Sequence, residues 1–441
     1  MNEGAAVRVS LVSFGKGESC FLNGQPVEQI TAELGGSAAC DMSIARALAE
    51  NAGTSFEGTK KYGDFDIAGE LARSWLRQPN PHGRPNSDVV KPWRNGQGLA
   101  KRPTDIWIID FGSQTSEVEA VMYEAPFKHV LSFVKPERTK VGLHENWWLH
   151  ERARGAMRIA MASLARYVAT VRMSKHRYFC FLNFTILPDT RLNVFARADD
   201  TSFGLLSSRM HEVWSLAQAS MHGVGNDPTY NAKSCFETFP FPPGLSPADT
   251  AHQRTAQVGG SPHPRPLPGG EGVRRERGVA GGGGAVGGSP YPSPLPGGEG
   301  VRKGAEAHAE AGDAAVIPAG LAGDVRAAAT NIALAAKRLN DLRGNWLNPP
   351  EWTQRLPEVI PLGMDTSPYP DRIVPKNGYE KELAERTLTK LYNQRPAWLD
   401  AAHKTLDVAV AAAYGWADYR VDMADEEILM RLLALNLQRA A

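Results

Sequence analysis

Cations crowd into one stretch of a chain that is otherwise balanced. Between positions 151 and 177 stand Arg152, Arg154, Arg158, Arg166, Arg172, Lys175 and Arg177, with His176 inside the run and Glu151 as its one acid. Cations that displace condensed counterions supply the sequence-independent share of DNA affinity, so this density suits phosphate. The same run also fits a solvated helix face whose arginines lay their stems along apolar surface, and residue types alone leave both readings open. A second stretch, 86–96, alternates polar, aromatic, proline and glycine residues in the manner of a rigid functional loop. Within it Arg94 and Asn95 are of the types that read guanine and adenine edges, although a structural turn accounts for the same composition. A third cluster, 207–214, falls on a helical pattern. Its Arg209 and Glu212 are spaced to pair with one another. Its His211 fits a packed or capped histidine, since no Ser–Asp arrangement for a triad lies nearby.

Other chemistry is conspicuous by what is missing. Amino-methylation of adenine needs an [Asn/Asp/Ser]-Pro-Pro-aromatic turn that accepts hydrogen bonds from the target amine and stacks on the flipped base. The sequence holds one Asn-Pro-Pro, Asn348-Pro349-Pro350, and Glu351 follows it where the aromatic should be. It reads instead as a turn that ends a helix. Phe14-Gly15-Lys16-Gly17-Glu18 superficially offers a cofactor loop, but no second strand with a terminal acid follows, and Gly-x-Gly alone is weak. Asp105, Asp110, Glu117 and Glu119 are close in sequence without the E-x-K pattern of a nuclease centre. The cysteines Cys20, Cys40, Cys180 and Cys235 have no zinc spacing and fit free thiols in a reducing cytosol.

The elements that must carry these residues follow from periodicity. Val7, Val9 and Leu11 line one strand face, and Phe21-Leu22-Asn23-Gly24 has the turn chemistry of a hairpin. Strands are expected over 105–112 and 177–183, with helices over 151–171 and 203–219. Further helices are expected over 327–342 and 396–414, and from Asp425 onward, where Glu426 and Glu427 suit the N-terminal dipole. One segment stands apart. GGSPHPRPLPGGEGVR from Gly259 returns as GGSPYPSPLPGGEGVR from Gly287, within a Gly/Pro-rich stretch too poor in aliphatic residues to offset the entropy of ordering. The near-identical copies suggest translated repetitive DNA, with a proline-rich ligand segment as the alternative.

The 441 residues suffice for two or three domains. With 49 Lys and Arg against 48 Asp and Glu, the net charge of +1 exerts no general pull on nucleic acid, so any such surface must arise by local clustering. No signal peptide and no run of about 18 apolar residues is visible, so the expectation is a cytoplasmic protein without a membrane partner.

Several strings in order go beyond composition: NSDVVKPWRNG (86–96), RPTDIWIIDFG (102–112), YEAPFKHV (123–130), VKPER (134–138), SKHRYF (174–179), FGLLSSRMHEVW (203–214), FETFPFPPG (236–244), LNPPEW (347–352), RTLTKLYNQRPAWLDAAHKTLDVAVAAAYGW (386–416) and EEILMRLLALNLQR (426–439). Together they closely resemble the large adenine-specific DNA methyltransferases of the MmeI-like group, found in single-chain restriction–modification enzymes and in phage-defence systems. In that family a class I methyltransferase domain, with S-adenosyl-methionine and the Asn-Pro-Pro-aromatic turn, precedes a target-recognition domain and a helical C-terminal segment. The resemblance implies a remnant of the methyltransferase sheet over 1–35 and a mixed α/β (α+β) recognition domain over 36–244. It implies a mostly α-helical segment over 313–441, and the repeat-bearing stretch 245–312 reads as a disordered insertion.

The expectation is therefore a truncated or split subunit that holds no catalytic, cofactor-binding or metal residue of its own. It would bind double-stranded DNA and depend on a separate N-terminal methyltransferase chain, where S-adenosyl-methionine would sit. Arg152, Arg154, Arg158, Lys175, His176 and Arg177 are the candidate phosphate contacts, and Asn86, Arg94 and Arg209 the candidates for base-proximal positions. The rival is a non-functional gene remnant that binds no DNA.

Overall fold

A computed structural model describes residues 19–22, 24–27, 30, 41–140, 145–222, 227–250, 254–259 and 314–441. The expected strand at Val7–Leu11, the Gly15–Gly17 loop and the body of the duplicated segment lie outside the described residues. A hairpin, β1 (Cys20–Leu22) and β2 (Gln25–Val27), comes first, and Gly24 turns it at φ 78°, as the Asn-Gly pair predicts. Then follow β3 (Ser55–Glu57), β4 (Asp66–Ala68), α1 (Gly69–Leu76), β5 (Val90–Arg94), α2 (Gly96–Ala100) and β6 (Ile106–Ile109). Helices α3 (Glu117–Ala120), α4 (Glu124–Phe133), α5 (Lys135–Lys140) and α6 (Gly155–Met161) lead to β7 (Arg166–Val171), β8 (Cys180–Asn183), β9 (Leu187–Pro188) and β10 (Leu192–Phe195). After α7 (Asp200–Ser207) and α8 (Arg209–Ala217) come β11 (Ser220–His222), β12 (Asp227–Thr229), β13 (Thr255–Val258) and β14 (Ala315–Pro318). The chain closes with α9 (Gly323–Leu347), β15 (Thr353–Leu356), β16 (Arg372–Pro375), α10 (Glu380–Ala384), α11 (Leu388–Gln394), α12 (Ala397–Ala413) and α13 (Asp425–Ala440).

Two four-stranded sheets organise this mixed α/β fold. The antiparallel sheet β3-β10-β7-β8 backs onto the larger core, where Tyr167, Val168, Leu192, Phe195, Phe203 and Trp214 are fully buried. The sheet β4-β6-β5-β9 carries the second core, around Phe65, Trp93, Trp107 and Ile108. In it β9 runs parallel to β5, with Trp93 opposite Leu187. The C-terminal helices do not stand apart. Helices α9, α11, α12 and α13 complete the first core, and α7 meets α9 and α12 at Gly204, where a Cβ would lie 2.7 Å from Ile332 and 2.9 Å from Ala336.

Three expectations need correction. The helix expected over 151–171 is instead the short α6 followed by the strand β7. Burial on both faces erases the alternation that would mark a strand, and the β-branched Val168, Thr170 and Val171 favour the pleated backbone. The stretch 86–96 is not a loop throughout: Val90–Arg94 at its centre is a sheet strand, with Pro92 opposite Trp107, between a 3-10 turn at Asn86–Asp88 and the start of α2 at Gly96. The single helix over 203–219 is two. Ser208 is extended at ψ 158° and its hydroxyl accepts from the His211 amide, while Asp199 caps α7 through the Ser202 amide. The order also reaches further toward the repeats than composition suggests. Ser246 and Thr250 are buried, and β13 pairs with β14 across the duplicated segment, Thr255 opposite Pro318 and Val258 opposite Ala315. Asn348 ends α9, as the Asn-Pro-Pro turn predicts. Among the described residues no helix is long and apolar enough to cross a membrane.

Candidate nucleic-acid interface

A strap of chain, 57–61, crosses from one sheet to the other and gathers cations from distant parts of the sequence. After β3, the Gly58 amide donates to the Leu192 carbonyl and the Thr59 amide to that of Pro188. Gly58 is required here, because a Cβ would sit 2.2 Å from the Asp189 carbonyl oxygen. Lys60 then pairs with Arg152 through two backbone hydrogen bonds of 3.1 and 3.0 Å. Ion pairs fix the side chains. Lys60 meets Glu151 at 2.9 Å, Lys61 meets Asp66, and Arg154 and Arg172 both bind Glu57, the latter at 3.2 Å. Arg154 adopts a left-handed backbone, φ 56°, that lets its Nε donate to the Gly58 carbonyl at 3.1 Å. Arg152 and Arg191 are exposed and form no ion pair among the described residues. Six cations (Lys60, Lys61, Arg152, Arg154, Arg172, Arg191) thus face four carboxylates (Glu57, Asp66, Glu151, Asp189).

The candidate cations meet divergent fates. Arg158 is spent inside: its fork closes on Asp110 at 2.7 and 2.9 Å and its Nε donates to the Ala153 carbonyl at 2.6 Å. Burial pushes the Asp110 carboxyl up, but Arg158, His150 and Lys91 outweigh it and hold the group at about 2. Arg177 is 6% exposed and donates to the Val171 carbonyl at 2.6 Å, the Thr170 hydroxyl at 3.2 Å and the Pro228 carbonyl at 3.3 Å. It stitches β7 to β12 and offers no fork to solvent. Lys175 and His176 lie at the surface, where both converge on Asn393 Oδ1 at 3.1 and 2.8 Å.

Of the three base-proximal candidates, Asn86 and Arg209 are engaged internally. Asn86 is 1% exposed; it donates to the Trp75 carbonyl and accepts from Asn80, both at 2.8 Å, so it locks the end of α1. Arg94 lies half-buried at the end of β5, and burial lowers its pKa. Its Nη1 finds no hydrogen-bond partner among the described residues. Arg209 does not pair with Glu212. It reaches instead to Asp425 at 2.7 Å and to the Val421 and Met423 carbonyls, and so clamps α8 to the start of α13. His211 is packed, as expected, between the Leu206 carbonyl and the Tyr230 hydroxyl, each at 3.1 Å.

Sequence reasoning passed over Lys60, Lys61 and Arg191. They are separated from Arg152 by up to 92 positions in the chain (152 − 60), so no local window could show that one surface holds them all. The strap joins them only because two sheets close around it.

No protein-family model and no curated protein matches this chain. A search of solved structures returns the Type IIL restriction–modification enzyme MmeI in complex with DNA. Identity is 14% and the TM-score 0.48, and the alignment covers 94% of this chain and 39% of that one. The chain therefore spans about two fifths of the length of that structure.

Proposed function

We propose that this chain is the DNA-recognition portion of a site-specific adenine-N6 DNA methyltransferase of a restriction–modification or phage-defence system. The observation that carries DNA binding is the strap surface, where cations from four separate chain segments converge and where, among the described residues, Arg152 and Arg191 stand exposed outside any ion pair. A surface of this kind positions a duplex by its phosphates, and sequence is then read by other side chains. The adenine specificity rests on the resemblance of the ordered motifs from NSDVVKPWRNG to EEILMRLLALNLQR.

Methyl transfer requires an Asn-Pro-Pro-aromatic turn, and Asn348-Pro349-Pro350-Glu351 is not one. The catalytic turn and the S-adenosyl-methionine site would therefore be supplied by residues outside these 441, in the same polypeptide or in a separate chain. Arg152, Arg191, Lys175 and His176 are the phosphate contacts of this proposal. Arg154 and Arg172 hold the strap through Glu57, while Arg158 and Arg177 support the sheets. Titration of duplex DNA at several salt concentrations tests the proposal. Linear loss of log affinity with log salt is expected, and absence of duplex binding would favour the remnant reading. Calorimetric titration with S-adenosyl-methionine should give no heat; micromolar binding would contradict the assignment of the cofactor site elsewhere.

A further inference from the structure

Among the described residues Arg386 is a cation without a paired anion. Its guanidinium forms no ion pair or hydrogen bond among the described residues. Instead its carbon lies 4.6 Å from the Trp346 ring centroid and 4.7 Å from that of Trp352, and Trp352 stacks on Tyr379 with planes 15° apart. Indoles attract a planar cation by its faces. Its N–H groups all lie at the edge of the plane, so they remain for a ligand. The neighbouring Glu385 is already taken by Lys390, and Tyr379 is exposed, so the clamp opens to solvent. A pinned fork of this kind has lost its rotamer freedom before any ligand arrives and matches the paired oxygens of a phosphate.

The clamp is not isolated. Helix α11 begins two residues after Arg386, and its penultimate residue, Asn393, is the side chain that holds Lys175 and His176. Its seven residues span about 10 Å. That equals the axial rise of about three base pairs of duplex DNA. The opposite face of α11 is anchored by buried Leu388, Leu391 and Tyr392, and Thr389 donates to the Ala100 carbonyl of α2. At its other end α2 begins at Gly96, where a Cβ would lie 3.5 Å from that of Arg191. The clamp, the Lys175–His176 pair and the strap are thus linked through two short helices.

We propose that Arg386, clamped between Trp346 and Trp352, and Lys175 at the far end of α11 form a second phosphate-contacting track for the DNA backbone. The proposal rests on the DNA-binding reading above. The test is duplex binding by the full chain, followed by fluorescence anisotropy across a salt series, for wild type, Arg386→Gln, Arg386→Lys and the double variant Arg386→Gln/Lys175→Ala. Arg386→Gln should flatten the log–log salt slope by about 0.9 and the double variant by about 1.8. At fixed salt Arg386→Gln should weaken binding about tenfold, the loss of one charge-assisted hydrogen bond. Arg386→Lys keeps the charge over the indoles, so it stays folded even where the glutamine variant does not. It should hold the wild-type slope and lose affinity severalfold, because lysine cannot offer a fork. Wild-type binding combined with an unchanged slope in Arg386→Gln and unchanged affinity in Arg386→Lys would overturn the track while leaving the DNA-binding reading intact. A wild-type chain that binds no duplex would overturn both.

Discussion

Arg152 and Arg158 stand six positions apart and serve opposite ends. Arg152 joins the strap by its backbone and leaves its guanidinium in solvent, whereas Arg158 turns inward and spends its fork on a carboxylate that is 2% exposed. Lys175 and Arg177 repeat the contrast two positions apart. A run of cations in a sequence is therefore not a surface. Each charge is sorted by the backbone beneath it, and here that backbone changes from turn to helix to buried strand within 27 positions, 151–177.

The largest expected effect follows from breaking the inward member. Arg158→Ala leaves Asp110 buried beside His150 without its bidentate partner and should cost about 3–5 kcal/mol, read as a lowered urea midpoint. If this variant instead keeps its stability and loses salt dependence on DNA, Arg158 faces phosphate and the contrast fails. The same pair predicts acid behaviour. Asp110 stays ionised in the folded state down to about pH 2, whereas an unfolded aspartate takes its proton near 3.9. Its contribution is therefore complete above about pH 4 and is lost as pH falls toward 2. Urea midpoints measured across that window should fall steeply in wild type and less steeply in Arg158→Ala.

Asp407 sharpens the comparison from the other side. Burial pushes its carboxyl up to about 7, and the Arg209 amide donates to its Oδ1 at 2.7 Å. Because the folded state keeps this proton after the unfolded state has lost it, stability should decline as pH rises from about 4 to 7 and then level off. Asp407→Asn preserves the acceptor and should flatten that decline. An unchanged profile would place the titration on another group. The smallest stability effects belong to the outward members. Arg152→Ala and Arg191→Ala touch no ion pair among the described residues and should shift unfolding by no more than about 0.5 kcal/mol.

Much of the helical architecture was legible in the sequence. Helices α9, α12 and α13 carry apolar stripes at helical spacing, and Asn348-Pro349-Pro350 marked a helix end. The hairpin at Gly24 was equally plain from its turn residues. The sheet around β7 was not. Tyr167, Val168 and Ala169 are buried on both faces, so neither period stands out, and Leu164, Tyr167 and Val171 happen to fit a helix. The interface was half legible. The excess of cations was visible, but the carboxylates that claim Arg154, Arg158 and Arg166 (Glu57, Asp110 and Asp200) lie 34 to 97 positions away. Arg386 was hidden for a like reason: Trp346 and Trp352 meet it only after the chain has left α9 and returned through the β15–β16 hairpin.

The central claim is that the exposed cations, and not the inward ones, meet DNA. Its most direct test compares the salt dependence of duplex binding by the wild-type chain and by Arg152→Ala/Arg191→Ala/Lys175→Ala. The account predicts a wild-type chain that binds, and a triple variant that folds normally with a slope flatter by about 2.7, three phosphate contacts at about 0.9 each. The loss should be equal for all DNA sequences, since phosphate carries no base identity. A triple variant that retains the wild-type slope would contradict it.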